Sequence, residues 1–203
     1  MAADATRDEL PRLPKRADAL RNRERVLEAA KIILGAGGPD ASLEAVAAKA
    51  SVGIGTLYRH FPTREALFEA VYRREVEQLV ELAAVLKAQS PPVEALRRWM
   101  RSNVEFIATK KGMSAALALA AHKTSHLSAY SLDRLSKTLA GLLERAAAAG
   151  EIRADVSAED LLRMLVGICY TQDGPDWQAH VLRLVDVVVD GLRRPQVISQ
   201  TEA

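Results

Sequence analysis

The sequence predicts an all-α protein, and the observations behind this prediction are its composition and the spacing of its apolar residues. Hydrophobic residues make up 49% of the 203 residues, aromatic residues make up only 4%, and alanine and leucine are abundant. Strands favour aromatic and β-branched residues, whereas alanine and leucine are strong helix formers. In one segment after another, apolar residues recur every three or four positions, the period of a helix with one buried face. We therefore expect helices throughout.

The N-terminal part of the chain predicts an arm followed by a first helix. Residues 1–17 contain Pro11, Pro14 and scattered charges without any period, so we expect a flexible arm there. From about Asp18 to Leu34 an apolar stripe follows the helical period. The glycine-rich run that begins at Gly35 then predicts the end of this helix.

The next segment predicts two short helices joined by a tight turn. Apolar residues at 43, 46, 47 and 50 form one stripe, and Ser42 precedes that stripe as a candidate N-cap. Ser51-Val52-Gly53 breaks the pattern. In the second helix, Leu57 and Phe61 supply an inward face, while the remaining faces carry hydrogen-bonding groups. This arrangement is typical of a helix-turn-helix, whose second helix enters the major groove of DNA.

The run V-G-I-G-T-L-Y-R-H-F-P-T-R-E-A-L, from Val52 to Leu67, resembles the signature of the TetR family of bacterial transcriptional regulators. The resemblance extends over roughly residues 20–70. Two positions depart from the common pattern, since Ser51 stands where the family usually has glycine and Ile54 where many members carry a polar or basic residue. A non-glycine residue is uncommon in the left-handed conformation, so either Ser51 strains the turn or the turn differs. Ile54 predicts an apolar contact, such as one to a thymine methyl group.

The resemblance implies that double-stranded DNA is a partner and that one set of residues binds it. Tyr58 and His60 are expected to reach phosphates, and Arg59 and Arg64 to hold phosphates as well, because most protein–DNA hydrogen bonds go to the backbone. Packing between helices is the alternative role for the polar side chains. The full expected DNA-binding set is Ser42, Ile54, Gly55, Thr56, Tyr58, Arg59, His60 and Arg64.

Downstream of the turn, the sequence predicts a larger helical body. A long helix is expected over 64–89, then a helix over 93–109 that Gly112 closes, a short helix over 113–122, a helix ending at Gly150, and two last helices from Ser157 and Trp177. Together with the resemblance, this predicts a DNA-binding domain over 18–63, a ligand-binding and dimerisation domain over 64–194, and a tail over 195–203.

The resemblance further implies a homodimeric repressor that binds a palindromic operator and releases it when a small-molecule effector of unknown identity binds. The last two helices are expected to form the dimer interface through stripes that a lone subunit would leave exposed, at Leu165, Ile168, Leu182, Val185 and Val189. The effector cavity is expected to be lined by Trp99, Met100, Asn103, Phe106, Met113, Leu117, His122 and Tyr130. Simple core packing is the alternative role for this second set.

Other classes of function find little support in the residues. No nucleophile–base pair, carboxylate pair or phosphate-binding glycine loop emerges, so we expect neither an enzyme nor a cofactor. His122 and His126 lie four apart, but two ligands do not complete a metal site. Cys169 is expected to be a core residue, and a single cysteine fits a reducing cytoplasm. No apolar run reaches the roughly 20 residues that span a membrane. The alternative is a helical small-molecule-binding module or small enzyme without DNA function.

Overall fold

A computed structural model of the chain describes residues 15–37, 41–117 and 125–194, and within these ranges it contains eight α-helices. The prediction of an all-α fold is confirmed, because the described residues form no strand beyond one isolated bridge between Ile152 and Arg193. The helices are α1 (Lys15–Ala36), α2 (Leu43–Lys49), α3 (Ile54–His60), α4 (Arg64–Gln89), α5 (Pro92–Ala116), α6 (Ser125–Ala148), α7 (Ala158–Thr171) and α8 (Trp177–Gly191).

The first three helices form a small head. α1 packs against both α2 and α3, and it also contacts α4. Val26 of α1, Val46 of α2 and Leu57 of α3 are fully buried in the core between them. A helix of seven residues, the length of α2 and of α3, is not stable alone in water. The buried faces of α2 and α3 therefore hold these helices in place.

The long helix α5 is the centre of the body and contacts α1, α4, α6, α7 and α8. Its largest buried side chain, Trp99, donates its indole N–H to the carbonyl of Leu79 on α4 at 2.8 Å. On the opposite side, Arg97 and Arg101 both bind the carboxylate of Asp186 on α8, at 3.1 and 2.8 Å. α5 thus fixes the positions of its neighbours.

The expected end of α5 at Gly112 is wrong, because this glycine lies inside one continuous helix. A Cβ atom placed on Gly112 would lie only 1.9 Å from the carbonyl oxygen of Gly35 on α1. Gly112 is therefore required for the close approach of two helices rather than for a helix end. α1 and α6 also begin earlier than the apolar stripes indicated, at Lys15 and Ser125.

Two ion-pair clusters also connect α1 to α4. Lys31 of α1 lies 2.6 Å from the buried carboxylate of Glu75 on α4. The neighbouring residue of α4, Arg74, binds Glu28 at 2.9 Å and Glu24 at 3.3 Å, both on α1. The head is thus attached to the body through both α4 and α5.

Candidate functional site

Hydrogen bonds at both ends of α2 fix this helix and the turn that joins it to α3. The Ser42 hydroxyl accepts from the N–H of residue 45 at 3.1 Å and caps α2. At the other end, Ser51 has a φ of +52°, so a residue with a side chain occupies the left-handed position. The N–H of Ser51 donates to Ala48 and that of Val52 donates to Ala47, both at 3.0 Å. This pair of bonds is the Schellman motif that usually places glycine at the left-handed residue.

Arg25 of α1 completes the turn. Its guanidinium donates to the carbonyl of Ala50 at 2.8 Å through Nε and to the carbonyl of Ser51 at 2.7 Å through Nη2. These carbonyls lie at the C-terminus of α2, where a positive charge is favourable. Arg25 is exposed, and its guanidinium also fixes the position of the turn.

α3 presents one face to solvent. Leu57 is fully buried, whereas Ile54 and Tyr58 are 39% and 44% exposed, which is high for side chains of this size. Arg59 is exposed and donates to the hydroxyl of Thr56 at 2.7 Å, which orders both side chains along the same face. Apolar and hydrogen-bonding groups thus lie side by side on this face.

The remaining residues of the expected DNA-binding set lie on α3 and at the starts of α2 and α4. Gly55 is exposed and His60 is half-buried, with its ring 6.3 Å from the ring of Phe61. Arg64 is the exposed first residue of α4, which Thr63 caps by accepting from the N–H of residue 66 at 3.1 Å. Ser42 is half-buried as the cap of α2. The start of α4 therefore carries an exposed cation, as α3 does at Arg59.

The body contains a cavity of about 400 Å³ between α4, α5, α6 and α7. This volume lies in the range of small-molecule sites. Most of the wall is apolar, and its exposed residues on α7 place one side of the cavity at the protein surface. The wall consists of Tyr72, Asn103, Phe106, Ile107, Lys110, Ser128, Ser131, Leu132, Leu135, Leu162, Arg163, Val166, Gly167 and Tyr170.

Only two residues of the expected cavity set, Asn103 and Phe106, line this cavity. Trp99, Met100, Met113 and Leu117 are buried in the core. Spacing in the sequence does not show which buried face of α5 meets which neighbour, because this helix packs against five others.

The other two members of that set lie elsewhere. Tyr130 lies on the α4–α6 surface, where its hydroxyl donates to Glu77 at 2.6 Å, and this hydrogen bond raises the pKa of Tyr130. His122 falls outside the described residues.

Polar groups at one end of the cavity form a connected cluster that sequence reasoning missed. The Lys110 amine lies 3.3 Å from the hydroxyl of Ser128 and 5.4 and 5.9 Å from the ring centres of Tyr72 and Tyr170. The Tyr72 hydroxyl donates to Ser131 at 2.7 Å. Burial lowers the pKa of Lys110 and raises the pKa of Tyr72. A lysine between apolar positions of α5 is the signal in the sequence that indicates this cluster.

The last two helices expose a different apolar set from the one expected. Leu165, Val185 and Val189 are buried within the subunit, so the expectation that a lone subunit leaves them exposed is wrong. These three side chains belong to the hydrophobic core of the single subunit. Ile168 and Leu182 are half-buried. The exposed large apolar side chains on α7 and α8 are Val166, Tyr170, Leu184 and Val187.

The remaining features predicted from the sequence concern metal binding, the single cysteine and the membrane. Among the described residues, no group of three or more metal-binding side chains occurs. His126 is exposed and lies 3.9 Å from Glu69. Cys169 is buried, and its burial raises the pKa of the thiol to about 11. No helix in the described ranges is long and apolar enough to cross a bilayer.

Comparison with known families gives two matches along the chain. A family profile described as "Bacterial regulatory proteins, tetR family" matches residues 26–71, which include α2 and α3. A second profile, described as "Transcriptional regulator SbtR-like, C-terminal domain", matches residues 91–194. The HTH-type transcriptional repressor BepR from Brucella suis biovar 1 (strain 1330) is 25% identical over 205 residues, which cover 91% of this chain and 98% of BepR.

Two solved structures are similar in both sequence and fold. The TetR transcriptional regulator SCO0520 from Streptomyces coelicolor is 42% identical, with a TM-score of 0.71, and the match covers 84% of this chain and 98% of that one. The TetR transcription regulatory protein from Mycobacterium vanbaalenii is 36% identical, with a TM-score of 0.67, and the match covers 89% of this chain and 100% of that one.

Proposed function

The chain belongs to the TetR family of bacterial transcriptional regulators, and on that premise we propose that it is a homodimeric repressor whose operator is palindromic and whose release from DNA is triggered by a small effector. In this proposal residues 18–63 bind DNA and residues 64–194 hold the effector and the partner subunit. The observation that carries it is the exposed face of α3, where large apolar and hydrogen-bonding groups lie uncovered. Such a face suits a recognition helix in the major groove.

The residues of this face suggest separate roles. Tyr58, Arg59 and Arg64 are exposed donors and suit phosphates, which fix the position of a protein on DNA without reading its sequence. Ile54 and Thr56 lie in the first turn of α3 and suit base edges, with Ile54 offering an apolar contact to a thymine methyl group. Arg25 is assigned a supporting role, because its guanidinium is held by the carbonyls of the turn.

The experiment that tests DNA binding is selection of bound sites from random double-stranded DNA, followed by affinity measurement over a range of salt concentrations. We expect a near-palindromic site and a log–log salt slope of about −4 to −5, as neutralisation of roughly four to six phosphates per dimer requires. Arg64→Ala should weaken binding to all sequences alike, whereas Thr56→Ala should alter discrimination. Failure to enrich any sequence would contradict the proposal.

The position of the cavity supports effector-dependent release. One wall is Tyr72 of α4, and one turn further along the same helix Glu75 binds Lys31 of α1. A molecule that fits one arrangement of α4 better than another would therefore also favour one arrangement of the head. A coupling of about 3 kcal/mol would weaken operator binding roughly 150-fold.

A further inference from the structure

One wall of the cavity carries a positive charge that has no negative partner. Lys110 lines the cavity, and in the described part of the chain no carboxylate lies within ion-pair distance of its amine. Its polar neighbour is the neutral hydroxyl of Ser128, and the rings of Tyr72 and Tyr170 lie nearby. One neutral hydroxyl and two aromatic rings do not balance a full charge that has been taken partly out of water.

The charge of the wall as a whole has the same sign. Among the described lining residues there is no aspartate or glutamate, and the second charged member is Arg163 of α7. The guanidinium of Arg163 binds Glu159 at 3.0 Å through Nε, so its charge is partly neutralised outside the cavity. Lys110 therefore dominates the electrostatics of the cavity.

Apart from this polar end and Asn103, whose amide donates to the carbonyl of Trp99 at 3.1 Å, the wall is mostly apolar. Phe106 and Ile107 of α5 face Leu132 and Leu135 of α6 and Leu162 of α7 across the space. A ligand that fills this volume must therefore have an apolar body. The cation lies at the end where the two serines and the tyrosine hydroxyl gather. The polar part of the ligand is expected at that end alone.

We propose that the cavity binds an apolar carboxylic acid, with the carboxylate paired to the Lys110 amine and the hydrocarbon part packed between α5, α6 and α7. The inference rests on the proposed function only in treating this cavity as the effector site. Binding of the anion supplies the charge that the wall lacks, and burial makes the resulting hydrogen bond stronger than it would be in water. An alkylamine of the same shape is disfavoured, because it would bring a second cation to Lys110.

The test is calorimetric titration of the full chain, without DNA, with two series of acids and their matched amides. The linear series runs from hexanoate to dodecanoate, and the second series consists of ω-phenyl alkanoates. At least one acid should bind roughly ten- to a hundredfold more tightly than its amide, the factor expected for a charge-assisted hydrogen bond. Equal affinity of every acid and its amide, or failure of all acids to bind, would overturn the inference.

Substitutions at Lys110 then test whether its amine is the cation that pairs with the carboxylate. Lys110→Met removes the amine but keeps the length of the side chain, and it should abolish the preference for acid over amide. Lys110→Arg keeps the cation and should preserve that preference. Lys137→Met is the matched control, because Lys137 is exposed, pairs with Asp133 on α6 and is not part of the cavity wall. If Lys110→Met does not fold, the acid–amide comparison in the wild type and in Lys110→Arg still decides.

Operator competition separates this inference from the proposed function. An acid that needs Lys110 for binding and also releases the operator supports both. An acid that needs Lys110 but leaves operator affinity unchanged supports the anion site and contradicts effector-dependent release. An acid whose affinity is the same in the wild type and in Lys110→Met overturns the anion site, whatever happens at the operator.

Discussion

At the scale of single residues, Ser51 shows how a departure from a family pattern is accommodated. The left-handed conformation costs a residue with a Cβ atom roughly 1–2 kcal/mol relative to glycine. Here the Schellman bonds of α2 and the guanidinium of Arg25, which donates to the carbonyl of Ser51, hold the turn in place. The strain predicted from the sequence is therefore located at Ser51 itself, because the turn keeps its usual geometry.

The first prediction follows from this strain. Ser51→Gly should raise the free energy of unfolding by about 0.5–1 kcal/mol, since relief of strain exceeds the extra entropy that glycine gains in the unfolded chain. Urea denaturation measures the change. Ala48→Gly on α2 is the control, and it should lower stability by about 1 kcal/mol because its conformation is helical. A loss of stability in Ser51→Gly would show that the turn is not strained.

Cys169 gives a second prediction at this scale. Burial raises the pKa of its thiol to about 11, and the nearby charge of Lys111 opposes this only in part. At pH 8 about one thiol in a thousand is then ionised, and only the thiolate reacts. Alkylation of the native protein should be at least about a hundredfold slower than alkylation in urea. Rapid labelling of the folded protein would instead indicate an accessible, reactive cysteine.

At the scale of helices, the sequence identified most elements and misjudged those whose ends depend on neighbours. Caps are local, so the cap at Ser42 is predictable from the sequence, and Ser42 accepts the expected backbone hydrogen bond. Thr63 and Ser157 cap α4 and α7 in the same way. The sequence predicts a helix end at Gly112, because it does not show that Gly35 of another helix approaches this glycine. The cavity is hard to predict for the same reason, since its wall combines four helices.

The contact between α1 and α5 gives the third prediction. Gly112→Ala would place a methyl group 1.9 Å from the Gly35 carbonyl, so the two helix backbones must separate. Melting temperature and operator affinity should both fall. Gly141→Ala on α6 is the matched control, because its Cβ would meet only the flexible end of Lys87 at 2.5 Å. A Gly112→Ala variant as stable as Gly141→Ala would show that the helices are not held this closely.

At the scale of the whole molecule, the exposed apolar side chains fall on separate surfaces that suit separate partners. Ile54 and Tyr58 lie on α3, and four of the remaining seven large exposed apolar residues that the structure describes lie on α7 and α8. Neighbouring apolar side chains left exposed on two adjacent helices indicate a protein interface. The dimer surface proposed here therefore consists of Val166, Tyr170, Leu184 and Val187, with the half-buried Ile168 and Leu182 beside them.

The last prediction tests this surface with a substitution that leaves the subunit intact. Val187 is 67% exposed, so Val187→Asp should not disturb the single subunit. In a dimer the new carboxylate would be buried without a partner, at a cost of several kcal/mol. Val185→Asp is unsuitable, because Val185 is 1% exposed and its replacement would unfold the subunit. Sedimentation should show a folded monomer for Val187→Asp and an unchanged species for Val85→Asp, a matched change at a 47% exposed position on α4.

The same variant also tests the link between dimer and operator. Two recognition helices reach half-sites about one DNA turn, roughly 34 Å, apart only when the subunits are joined. Loss of the partner turns the second contact into a separate binding event, so affinity for the full palindrome should fall roughly a hundredfold or more. Affinity for an isolated half-site should stay the same. If Val187→Asp binds the palindrome as tightly as Val85→Asp does, then α7 and α8 do not join the subunits that bind DNA.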